Sequence, residues 1–355
     1  MKHQSAPTGI SASSSSKRFD SFDLFKGFAA FCVVSLHVPL QSTPSILFNV
    51  IARIAVPFFF LVSGFFSYYQ EYDAVKIRKK RLSKIRKYIF LLVSITAVYF
   101  LFEVVISSIK GTLSEALQTY TSFSFIVGHL SAKGSHMWFV RALILLELLL
   151  LACEPVFRRK YSVLFIPVAW LFDVLFIKYA GILLGFAIPQ PYAEVLTKYI
   201  GVAFVFYTAG YMFHRYETTV VSFFQKLGAG KNIGILIGLI IANLVEYSLL
   251  EHYGVNRMPV NYCFTFFLTL TIFSLLMTYR NLGSGSIFTY IGRELSMYIY
   301  YWHLLIYWAG GMLLSKIPVI NTLYRNPFFL YLECIIFSLL IVQAKVLLQK
   351  KRSTK

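Results

Sequence analysis

Apolar runs of about 20 residues, separated by short polar or basic stretches, repeat along the whole chain, and each is long enough to cross a bilayer as a helix. The pattern predicts about ten spans, at residues 22–40, 46–69, 88–107, 137–153, 162–179, 196–213, 233–250, 262–279, 295–314 and 328–348. Residues 41–45 form a tight turn between the first two, which makes those two helices neighbours. Residues 76–87 carry Lys76, Arg78, Lys79, Lys80, Arg81, Lys84, Arg86 and Lys87, the strongest cytoplasmic signal in the sequence. With the N-terminus inside, most of the 34 Lys and Arg fall on the cytoplasmic side, and an even number of spans returns the C-terminus there. The fold expected is an all-α polytopic membrane protein, a bundle of about ten transmembrane helices with both termini cytoplasmic.

Domain boundaries follow from the same pattern. Residues 1–18 are polar, with a serine run up to Ser16, so they read as a disordered cytoplasmic tail. No short apolar core followed by a small-residue cleavage site precedes the first span, which would itself direct insertion. Residues 19–349 form one transmembrane domain, and residues 350–355 a basic cytoplasmic tail. Composition agrees: 57% of residues are hydrophobic, 14% are charged, and the mean hydropathy is +0.66. Ordinary soluble domains carry about 25% charged residues. The net charge of +19 would suit a nucleic-acid partner, but the basic residues sit between apolar runs. Topology and contact with anionic membrane lipids explain them, and nucleic-acid binding is excluded. Cys32, Cys153, Cys263 and Cys334 are scattered through apolar segments. They show neither metal-ligand spacing nor a disulfide frame, so no metal is expected.

The polar residues inside the spans carry the candidate chemistry. Lys26 and His37 lie eleven residues apart in the first run, which on a helix puts both on one face, about 16 Å apart along the axis. Two readings stand: Lys26 snorkels and His37 bonds a neighbouring helix, or the stripe is a functional site. Ionisable residues in other spans favour the second. Arg53 lies about 10 Å into the second span, at the depth of His37, and reads as a cavity residue and an oxyanion-binding candidate. His136, Trp138 and Arg141 open the fourth span near the outer surface. Glu147, further along that helix, needs a basic partner. Arg293 and Glu294 mark the inner end of the ninth span, and His303 falls mid-membrane after an aromatic run. The basic segment either anchors topology or, with Lys26, binds a phosphate-rich cytosolic donor.

Taken together these residues resemble the integral-membrane acyltransferase 3 family. Asp23-x-x-Lys26-Gly27 followed by His37 is similar to its opening motif, a cation with ten residues before a histidine. Arg53 to Gly64, with Pro57, resembles the second-span signature. Arg81-Leu-Ser-Lys84-Ile-Arg86 resembles the basic segment that opens the third span, and His136-Met-Trp138-Phe the start of the fourth. Ile291-Gly-Arg-Glu-Leu-Ser296 with His303 resembles the late motif. The likeness covers residues 23–314 and is nearest to short members such as the enterobacterial common antigen O-acetyltransferase. It extends to the membrane half of vancomycin-resistance serine racemases, which is associated with serine uptake.

The resemblance implies an enzyme of the cell membrane with acetyl-CoA or another cytosolic acyl-CoA as donor. The implied acceptor is a hydroxyl of a surface glycan or glycolipid. It implies His37 as the catalytic histidine, joined in this reading by Arg53 and His303. Lys26, Arg81, Lys84 and Arg86 face the donor, and His136, Trp138 and Arg141 the acceptor. Histidine suits the role of base because its pKa is near neutral. A transporter or export protein using the same polar cavity without chemistry is the rival reading. The halves show no clear internal repeat, which favours the enzyme. The sequence leaves the acceptor sugar, the acyl chain and the oligomeric state open.

Overall fold

The structure is a computed structural model that describes residues 18–38, 43–128, 132–253, 262–314 and 326–353, with the backbone alone at 43–46, 313–314 and 350–353. The polar N-terminal tail therefore lies outside the described residues, apart from Arg18, as do residues 39–40 of the first span, residues 41–42 of the turn after it and the last two residues of the basic C-terminal tail. Among the described residues there is no strand. The helices are α1 Asp20–His37, α2 Thr43–Ala52, α3 Ala55–Phe65, α4 Ala74–Lys110, α5 Leu113–Thr121, α6 Phe123–Gly128, α7 Trp138–Phe157, α8 Phe165–Phe172, α9 Ala180–Leu183, α10 Gln190–Leu196, α11 Val205–Arg215, α12 Glu217–His252, α13 Cys263–Thr278, α14 Ile287–Tyr290, α15 Ser296–Leu314 and α16 Pro327–Ser353. Three π-helical stretches, Asp173–Lys178, Thr197–Phe204 and Ile291–Leu295, extend α8 and lead into α11 and α15.

Helix forms most of the described part of every one of the ten apolar stretches. Six helical segments among them are long and apolar enough to cross a membrane, and the chain is an all-α, multi-pass membrane protein. Three others have sufficient length, α1, α7 and α15, and the first two carry three charged side chains each: Asp20, Asp23 and Lys26, and Arg141, Glu147 and Glu154. The helices that look least like spans thus hold the polar interior. The outward faces of α4, α12 and α16 expose Phe90, Val93, Leu101, Ile233, Ile237, Val245 and Leu340, a surface that only lipid would cover favourably.

Local sequence explains where the helices bend and stop. Residues 76–87 are not a connecting loop: they are the first turns of α4, which runs 37 residues, about 55 Å. Lys and Arg are good helix formers. The Asp73 side chain starts the helix by accepting from the backbone N–H of Lys76 at 2.9 Å. The second predicted span is two helices, α2 and α3, broken at Arg53 and Ile54. Pro155 removes one backbone hydrogen bond from α7, and Cys153 leaves helical dihedrals there. In α12 the break falls at Gly228, with φ 78°, a conformation that glycine adopts without strain.

The main core gathers α1, α3, α7, α11 and α13 around aromatic rings. Phe22 stacks on Phe273 at 4.7 Å, and Phe58 and Phe65 meet the same pair edge-on or tilted. A second cluster joins α1, α15 and α16, tied by the Tyr331 hydroxyl donating to the Gly27 carbonyl at 2.7 Å. A third joins α4, α7 and α15 through Tyr99, whose hydroxyl donates to the Tyr301 carbonyl and accepts from the Leu305 N–H. Between these clusters the helices do not close completely.

Candidate active site

The gap is a cavity of about 540 Å³ walled by α1, α3, α4, α7, α15 and two of the π-helical stretches. That volume suits a small-molecule or cofactor site. From α1 it takes Lys26, Val33 and His37, which at offsets of seven and eleven residues share one helix face. Apolar side chains of α3, α4 and α7 line its middle, among them Phe59, Val62, Leu91 and Leu143.

One end is built by a close backbone approach. A Cβ at Gly292 would lie 1.8 Å from the Asp23 carbonyl oxygen, and one at Gly27 2.4 Å from that of Phe288. Only glycine lets α1 and the Ile291–Leu295 stretch touch in this way, and the contact sets Lys26 beside Arg293 and Glu294 on the cavity wall. Lys26 Nζ donates to Asp23 Oδ1 at 3.1 Å, and Arg18 holds the other oxygen, also at 3.1 Å. Arg293 pairs with Glu294 at 3.1 Å. Asp23 is not on the cavity wall, so the wall at this end presents two cations and one carboxylate.

At the other end three imidazoles lie in sequence. The His37 ring is 5.1 Å from that of His303, and His303 is 5.0 Å from His136. His37 and His136 line the cavity, and the His37 side chain stays accessible through it. His303 is fully buried behind them. Its Nδ1 sits 2.8 Å from the Tyr300 carbonyl and 3.1 Å from that of Ile299. Carbonyls only accept, so Nδ1 carries a proton, and Nε2 is buried without a hydrogen-bond partner among the described residues. The Tyr300 hydroxyl donates to the His136 carbonyl at 2.5 Å. Trp138 and Lys198 complete this end, with the ammonium 5.4 Å from the indole ring centroid. Despite the three histidines, no group of three His, Cys, Asp or Glu among the described residues is arranged to hold a metal ion.

The structure brings Lys26, His37, His136 and Trp138 to this one cavity and seats His303 directly behind it. It does not bring Arg53 there. That residue occupies the break between α2 and α3, and its guanidinium faces the Tyr262 ring at 5.6 Å. Arg141 donates instead to the Phe125 carbonyl at 3.1 Å. Arg86 is exposed on α4.

Arg81 and Lys84 belong to a separate ion network. Arg81, wholly buried, donates to Glu147 at 2.8 Å, to the Ser67 carbonyl at 3.0 Å and to Glu154. Lys84 donates to Ser67 Oγ at 2.8 Å and to Glu147 at 3.1 Å. The Tyr207 and Tyr211 hydroxyls and Arg158 saturate the remaining carboxylate positions. The network fastens the start of α4 to α7. Lys198 is the site residue that sequence reasoning passed over, and Arg293 and Glu294 gained no role there. A signal was present for Lys198, because Glu194 lies four residues earlier and pairs with it at 2.7 Å.

Residues 19–345 match the family model for an acyltransferase domain. The chain belongs to the acyltransferase 3 family. Nothing among curated proteins or solved structures matches it. Family membership decides between the two readings that the sequence left open: the protein is a membrane acyltransferase, an enzyme that transfers groups other than aminoacyl groups. Such a reaction needs a base, a site for the acyl donor and a group to bear the negative charge that develops on the carbonyl oxygen. The cavity has candidates for all three.

Proposed function

We propose that this acyltransferase moves an acyl group, acetyl in the simplest case, from cytosolic acyl-CoA to a hydroxyl of a cell-surface glycan or glycolipid, with His37 as general base. The observation that carries the reading is the continuous cavity with Lys26 and Arg293 at one end and His37 at the other. Lys and Arg are the natural partners of phosphate, so the CoA phosphates bind at the Lys26 end. The spacing of about 16 Å along α1 is comparable to an extended pantetheine arm, which carries the thioester to His37. The apolar middle of the cavity suits that arm and excludes water from the thioester.

In the reaction the acceptor hydroxyl donates to His37, which removes its proton as the oxygen attacks the thioester carbon. The tetrahedral intermediate collapses, the carbon–sulfur bond breaks, and His37 returns the proton to the departing thiolate. His303, with Nδ1–H fixed on backbone carbonyls, backs His37 and orients it. His136 and Trp138 flank the acceptor. On this reading the protein lies in the cell membrane with both termini and the start of α4 in the cytosol, as the basic segment directs.

The test uses membranes that contain the full chain. Labelled acetyl-CoA supplied to the cytosolic face should pass label into a membrane glycan or glycolipid, and mass spectrometry should find the ester there. Membranes that bind CoA with no saturation and transfer no label would refute the reading.

A further inference from the structure

The reaction just described leaves one role unfilled. Attack on a thioester places a negative charge on the carbonyl oxygen, and a fixed donor aimed at that charge supplies a large part of catalysis. Arg53 is turned toward Tyr262. Two hydroxyls on the cavity wall are engaged: Tyr300 donates to the His136 carbonyl and Ser63 to the Phe59 carbonyl at 2.8 Å.

We infer that Lys198 is the oxyanion donor. It lines the cavity at the His37 end, close enough for its charge to act on that imidazole. It stands on the Thr197–Phe204 π-helical stretch, an irregularity that recurs at functional sites. Two contacts fix the ammonium, Glu194 at 2.7 Å and the Trp138 ring at 5.4 Å. Glu194 is not on the cavity wall. An ammonium has three N–H donors, so one bonded to Glu194 leaves others for the cavity. This is a preorganised cation in a site of restricted water access, where it stabilises charge more strongly than in bulk water.

The step keeps Lys198 protonated throughout. As the hydroxyl oxygen bonds to the carbonyl carbon, the π electrons move to oxygen, and Lys198 donates a hydrogen bond to it. When the carbon–sulfur bond breaks, that pair returns to the carbonyl and Lys198 is released unchanged. The proton travels from hydroxyl to His37 to thiolate, without involving the lysine.

This assignment rests on the acyl-CoA reading, and the assay separates the two. Detergent-solubilised full-length enzyme is given labelled acetyl-CoA and increasing amounts of acceptor-bearing membrane extract. Lys198→Met should lower kcat about 10²- to 10³-fold, the usual effect of losing one oxyanion donor. The KM for acetyl-CoA and the thermal unfolding temperature should not move. Lys198→Arg should recover activity to within about tenfold of wild type. Glu194→Gln should stay equally close, because the carboxylate only steadies the lysine. Lys198→Gln, which can still bond Glu194, gives a second test should the methionine variant accumulate poorly, and it should lose kcat alike.

A working wild type with Lys198→Met and Lys198→Gln at near-normal kcat overturns the oxyanion role and leaves the proposed function intact. So does a defect relieved by more acceptor extract, which would make Lys198 an acceptor contact. Equal damage from Glu194→Gln and Lys198→Met would reduce the pair to a structural one. A wild type that transfers nothing removes the proposed function, and this role with it.

Discussion

Two polar regions cross the interior of this protein, and they differ in how their charges are satisfied. In the network around Arg81, every carboxylate oxygen of Glu147 and Glu154 meets a cation or a hydroxyl, and Arg81 itself is sealed from solvent. In the cavity, Lys26, Arg293 and Lys198 each have one acidic partner and a face left open. A fully partnered charge cluster positions helices and has no bonding capacity for a ligand. A half-partnered cation on a cavity wall has that capacity. The same residue types, only a helix apart, thus serve structure in one place and binding in the other.

Removing Arg81 should break the first region most severely. Arg81→Met leaves Glu147 and Glu154 buried with their central cation gone, a loss of about 3–5 kcal/mol. Thermal unfolding of the purified protein in detergent measures it, and poor accumulation in the membrane should accompany it. Wild-type stability in that variant would erase the distinction between the two regions.

Lys26→Met should act oppositely, on binding and not on the fold. Its pair with Asp23 is partly exposed, and such pairs are worth about 0–1 kcal/mol. Losing a charge-assisted bond to a CoA phosphate costs about 1.5–3 kcal/mol, so the KM for acetyl-CoA should rise roughly ten- to a hundredfold at similar kcat. Lys26→Arg should stay near wild type in the same titration. Arg86→Ala belongs at the bottom of the scale. Exposed on α4 and outside both regions, it should change stability by less than about 0.5 kcal/mol and KM by less than about threefold. A large KM effect there would extend the donor site beyond the cavity.

The sequence pattern carried much of this fold, and the reasons are physical. Apolar runs of bilayer length must be helical because lipid offers no hydrogen bonds to a bare backbone, and each of the ten stretches is helical over most of its described residues. Lys26 and His37 share a face because eleven residues make about three turns, which is a local property. Glu147 called for a basic partner and has Arg81 and Lys84. The rotation of each helix about its own axis was harder to read, because a span apolar all round has no stripe to fix it. Arg53 shows this: the break at Arg53 and Ile54 turns it toward Tyr262, a contact more than 200 residues away in sequence. Arg81 and Lys84 look like phosphate ligands until α7 is seen to bring carboxylates to them. Lys198 drew no reading from the sequence, because only packing beside Trp138 puts it in the cavity.

The most direct test of the account uses His37→Ala, with acyl transfer and CoA binding measured on the same purified protein. Labelled acetyl-CoA and acceptor-bearing membrane extract report transfer, and isothermal titration reports CoA affinity. The account predicts that transfer is abolished while the protein still accumulates, unfolds at the wild-type temperature and binds CoA with unchanged affinity, because the phosphates are held at the Lys26 end. Wild-type turnover in His37→Ala would contradict it, since His37 would then be a packing residue and the base would lie elsewhere.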